Sequence, residues 1–112
     1  MKYALLVYDE PSSWQNLTTE QKRARHREYH AAGDSPGVVA HYRLRAPQRT
    51  TTVRIEGDET VKAEGLLAET RENLRAIYIF ESDEQDSVLE LAARIPAVRT
   101  GGTVEVWPLT ET

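Results

Sequence analysis

Two short runs, YALLV at residues 3–7 and AIYIF at 76–80, are apolar or aromatic at every position. Successive side chains of a strand point to opposite faces, so a strand of this kind asks for burial on both sides. Asp9, Glu10 and Pro11 stop the first run and Ser82 stops the second, which fixes both as short strands rather than pieces of longer helices. A chain of 112 residues builds one domain around one modest core, here spanning residues 1–112. The remaining pattern supplies only two helices, enough to cover one face of a sheet. A second copy of the chain is the simplest cover for the other face, so a homodimer is expected.

The first helix is predicted over 17–33, with Thr18 three residues before Gln21 in the spacing of a capping box and Gly33 at its end. Segments 38–44 and 51–55 alternate as strands. Glu56-Gly57-Asp58-Glu59 turns the chain back through 60–63 as a hairpin. Residues 75–81 form the buried strand, and Ser82, three before Gln85, is placed to cap a second helix. On that helix Val88, Leu91, Ala92 and Ile95 recur at the spacing of a buried stripe, and Pro96 ends it. Residues 103–109 make the last strand. This order predicts an α+β, ferredoxin-like sandwich: an antiparallel sheet with both helices on one face.

Charge narrows the partners. The formal net charge of −4 argues against a protein that binds nucleic acid by neutralising phosphates, although Arg43, Arg45, Arg49 and Arg54 cluster closely enough for a local anion site. The chain has no cysteine, which removes thiolate nucleophiles and cysteine-based zinc sites. The opening MKYALLVYDEP reads as a strand, not a signal peptide, and no apolar run approaches the roughly 20 residues of a membrane helix. A cytoplasmic protein without membrane contact is expected.

The chemistry concentrates in RHREYH at 25–30. At 100° per residue, His26, Tyr29, His30 and Gly33 lie along one stripe of the first helix. Between Gln21 and Ala32 this helix has no large aliphatic residue, so it packs either on its alanine side (Ala24, Ala31) or on its histidine–tyrosine side. Histidines four apart can share a metal ion, but Arg27 occupies the place where metalloprotease helices carry glutamate, so no metal and no other cofactor is expected. The third histidine, His41, falls on the second strand.

The segment 62–81 adds a resemblance. Glu64-Gly65-Leu66-Leu67, followed by Ala68-Glu69-Thr70-Arg71-Glu72, resembles the Asp-Gly-Pro-Phe motif and its Ala-Glu-Thr continuation in the DGPF branch of the YCII-related family. The opening MKYALLVY and the closing AARIPAVRTGGTVEVWPL are similar to the same family. Glu64 stands where the motif has aspartate, and Leu66 and Leu67 replace proline and phenylalanine. The resemblance implies a dimeric ferredoxin-like protein assembled in the manner of a dimeric α/β barrel, and the broader family includes small cofactor-free enzymes of lyase or dehydrochlorinase type that use a histidine and an aspartate.

These readings define the expected site on a small organic ligand. His30 moves a proton, Glu64 or Glu69 orients or charge-balances it, and His26 or Tyr29 donates a hydrogen bond to a developing oxyanion. Tyr29, His41, Tyr78 and Trp107 line the ligand. The reaction class is elimination, isomerisation or cyclisation. The alternative is a non-catalytic dimer that binds a small ligand or acts as a regulator.

Overall fold

A computed structural model of the chain describes residues 1–45, 49–65 and 73–111. The elements run β1 (Lys2–Tyr8), a 3₁₀ turn (Pro11–Trp14), α1 (Thr19–Gly33), β2 (Val38–Arg43), β3 (Thr51–Glu56), β4 (Glu59–Glu64), β5 (Leu74–Glu81), α2 (Gln85–Arg94), a second 3₁₀ turn (Pro96–Arg99) and β6 (Thr103–Pro108).

β1 and β5, the two apolar runs, pair antiparallel at the centre of a four-stranded sheet of order β2-β5-β1-β6. The partners in register show which side chains share a face. Tyr3, Leu5 and Val7 of β1 lie with Phe80, Tyr78 and Ala76 of β5, and all six are buried. Val88, Leu91, Ala92 and Ile95 close over them, joined by Ala32 from α1, so both helices contribute to one core on one sheet face. The stripe read on α2 is therefore the one that packs. The opposite face carries Ala4, Leu6, Ile77 and Ile79, which remain only half-buried, since α1 and α2 both lie on the other side. A depth of 19 Å leaves room for one sheet and one layer of helices.

One expectation is corrected here. The sheet does not close or curl into a barrel: β2 and β6 are its free edges, and four strands are too few to wrap around an interior. β3 and β4 pair only with each other, Glu56 opposite Glu59 at the Gly57 turn, as a separate two-stranded ladder. The barrel-type assembly is not what this fold presents. What remains is an α+β fold with an open antiparallel sheet and two helices, its strand order that of a split β-α-β pair.

Local chemistry explains the helix bounds. The Thr18 hydroxyl accepts from the Gln21 N–H and the Gln21 side chain accepts from the Thr18 N–H, which completes the capping box. α2 differs: its N-cap is Glu84, without a side-chain cap, and the Ser82 hydroxyl instead accepts from the Glu84 N–H at 3.0 Å. Between α1 and β2 the chain turns at Gly37, where φ is +96° and a Cβ would sit 2.6 Å from the Phe80 ring. Only glycine satisfies both conditions.

Candidate functional site

Of the two faces anticipated for it, α1 packs on part of the histidine–tyrosine side. Ala32 and Gly33 are buried and Tyr29 leans on the core, whereas Ala31 is exposed. The contact stripe thus combines part of the histidine–tyrosine side with small residues at the helix end. Gly33 does more than end the helix: a Cβ there would lie 2.6 Å from His41 Cε1 and Nε2, so its hydrogen is what admits the His41 ring beneath the last turn.

The result is a cleft of about 390 Å³ between α1, β2 and β5. His26, Arg27, Tyr29 and His30 line it from α1; His41 and Arg43, with Tyr42 between them, line it from β2; Tyr78 forms its floor from β5. All three histidines of the chain meet here. His41 lies opposite Tyr78 in the β2–β5 register, and their rings stack within 12° at a centroid distance of 5.8 Å. His30 meets the edge of His41 at 6.1 Å.

Several polar groups of the cleft have defined partners. Arg43 Nη1 lies 3.2 Å from His26 Nδ1. A guanidinium can only donate, so Nδ1 must accept and the neutral ring carries its proton on Nε2. Partial burial, followed by the Arg43 charge, lowers the His26 pKa from its ordinary value. His30 Nε2 lies 3.5 Å from Asp34 Oδ2, four residues on, where Asp34 caps the helix C-terminus. The Tyr78 hydroxyl donates to the Tyr29 carbonyl at 2.9 Å and pins α1 to the sheet; burial pushes its pKa up to about 12. Tyr78 is thus a core residue that shows the cleft its ring.

Behind the cleft stands a wall missed in the sequence. The Asp9 carboxyl group is buried, and its Oδ2 accepts from the Trp14 indole N–H at 2.7 Å. Trp14 in turn lies 4.9 Å from His26 and 6.4 Å from Tyr29, with the Arg25 guanidinium 4.6 Å above its ring. Arg25 is held by donating to the Ser13 carbonyl and hydroxyl, each at 3.0 Å. Asp9 Oδ1 and the Tyr29 hydroxyl are both buried and make no hydrogen bond of regular geometry to a described residue, although the hydroxyl lies within reach of the Asp9 carboxylate. Burial first, then the Asp9 charge, raises the Tyr29 pKa far above the ordinary phenol range.

The expected residues therefore divide. His26, His30, His41, Tyr29 and Tyr78 come together, but the Tyr29 hydroxyl is turned away from solvent. Trp107 pairs with Ala4 on the opposite sheet face, 54% exposed, with its indole N–H on Glu105 at 3.2 Å. Glu64 sits at the end of the β3–β4 ladder and does not line the cleft. Glu69 lies outside the described residues, as do Leu66, Leu67 and the rest of the motif through Glu72. Asp34 was legible as the residue four after His30, a helical neighbour. Arg43 was legible as a member of the arginine cluster, of which it alone lines the cleft. Among the described residues no group of three or more His, Asp or Glu side chains is arranged to hold a metal ion.

Comparison with known proteins agrees with the fold. One solved structure similar to this chain is the 5-chloro-2-hydroxyhydroquinone dehydrochlorinase TftG of Burkholderia phenoliruptrix AC1100, in complex with 2,5-dihydroxybenzoquinone. The TM-score is 0.56 at 13% identity, over 100% of this chain and 96% of that one, which shows a shared fold. No curated protein matches the sequence. The family match spans residues 1–112 and is to the YCII-related domain as a whole, without marking the DGPF branch. The chain belongs to the YCII-related domain family.

Proposed function

We propose that this chain is a homodimeric enzyme that performs acid/base chemistry on a small organic molecule without a cofactor, by elimination, isomerisation or cyclisation. The convergence of His26, His30 and His41 on one cleft carries this reading. His30 takes the proton from the substrate. Asp34 orients its ring and balances the imidazolium, the role expected of Glu64 or Glu69. His26, fixed by Arg43 with its proton on Nε2, donates to the oxygen on which negative charge develops. Collapse of that charge expels a leaving group or returns the proton at another carbon. The dehydrochlorinase of the same fold supports elimination among the three.

The second reading, a non-catalytic ligand binder, draws on one observation. The His30 and Asp34 side chains are 74% and 67% exposed, so water screens the pair that would move the proton.

Deuterium exchange separates the two. Carbon acids of varied structure incubated with the protein in heavy water are expected to take up deuterium, followed by proton NMR. His30→Gln should slow exchange by about 10²- to 10⁴-fold. A binder would exchange none of them, and identical rates in the wild type and His30→Gln would remove His30 from the mechanism.

A further inference from the structure

The cleft also has a charge and a shape that specify what enters it. Arg27 and Arg43 line it together with three imidazoles, and among the described residues no carboxylate does, in a chain whose net charge is −4. Glu20 offsets Arg27 from outside at 3.5 Å, and Asp34 answers His30, which leaves Arg43 and His26 as the cationic and donor edge. Because Nδ1 of His26 accepts from Arg43, both groups offer a ligand hydrogen-bond donors. Of the three tyrosines in the lining, the two against the core contribute no competing hydroxyl, that of Tyr78 being spent on the Tyr29 carbonyl and that of Tyr29 buried, while Tyr42 stands at the exposed rim. What those two and His41 contribute is flat ring surface.

Resting on the reading of this cleft as the functional site, we propose that it selects a planar phenolate-type anion, with an oxyanion on Arg43 and His26 and the ring against His41 and Tyr78. A volume of about 390 Å³ lies at the small end of ligand pockets and suits a ligand of one ring. A donor edge also rejects ligands by leaving unsatisfied whatever cannot accept from it. The cleft thus discriminates by charge and by flatness together, and the same edge stabilises an enolate formed from a bound ring.

Calorimetry with 4-nitrophenol above its pKa, with its methyl ether 4-nitroanisole and with inorganic phosphate tests both terms. The phenolate is expected to bind at least tenfold more tightly than the ether, and phosphate should compete poorly because it has no ring to stack. Arg43→Gln should cut phenolate affinity about tenfold or more and leave the ether unchanged, since a hydrogen bond to a charged group is lost only for the anion. Arg43 is exposed at the end of an edge strand, so circular dichroism should report an intact fold, and Arg54→Gln on the hairpin serves as the control of equal charge change. Equal binding of phenolate and ether, an unchanged ratio in Arg43→Gln, full displacement by phosphate, or no binding of the phenolate each overturns the proposal. Its failure is distinct from failure of the acid/base reading. His30-dependent deuterium exchange without anion selectivity retires this inference alone, and anion selectivity without exchange in any substrate retires the catalysis alone.

Discussion

His26 is the residue whose state the structure defines most closely. Its proton is bound less tightly in the folded chain than in the unfolded one, whose value is 6.5. Protonation therefore favours unfolding: the contribution of this site is complete above 6.5 and is lost as the pH falls below that value and through the lower folded pKa. NMR titration should find His26 below 6.5, and Arg43→Gln should raise it only part of the way, because burial is the larger cause. A full return to 6.5 would mean that Arg43, not burial, dominates. This state was not readable beforehand. The sequence puts His26 and Arg43 on different elements seventeen residues apart, and only the passage of β2 beside α1 joins them. His30 and Asp34 are different, since helical spacing alone makes them neighbours. Glu64 matches the motif by resemblance, which carries no information about where the hairpin points.

At the scale of elements, legibility followed side-chain size. β1, β5 and α2 carry large aliphatic residues whose period fixes both type and buried face. α1 has none, so its capping box gave the start and Gly33 the end, while its packed face stayed open to two answers and proved to be part of the histidine–tyrosine side with Ala32 beside it. The small residues that pack it are the ones a hydrophobicity pattern weighs least. Gly33→Ala tests their purpose. Alanine favours the helix by up to about 1 kcal/mol, but its Cβ collides with His41. Because the clash is with a side chain that can swing away, the melting temperature should change little, whereas NMR contacts between His41 and Tyr78 should vanish. Loss of several kcal/mol instead would show that the ring cannot yield.

The whole molecule is a layered body with one side bare. Leu6, Ile77 and Ile79 on the uncovered face account for the apolarity of both parities noticed in β1 and β5, since only Leu5, Val7, Tyr78 and their companions find helices. Light scattering is expected to give twice the monomer mass at micromolar concentration, and Leu6→Lys, which sits at the centre of the bare face, should halve it without unfolding the chain. A monomer in the wild type would refute the assembly argument. Neighbouring residues along β5 answer to different demands, Tyr78 to the core and the cleft, Ile77 and Ile79 to the opposite sheet face. A substitution on one face of β5 therefore leaves the side chains of the other face in place.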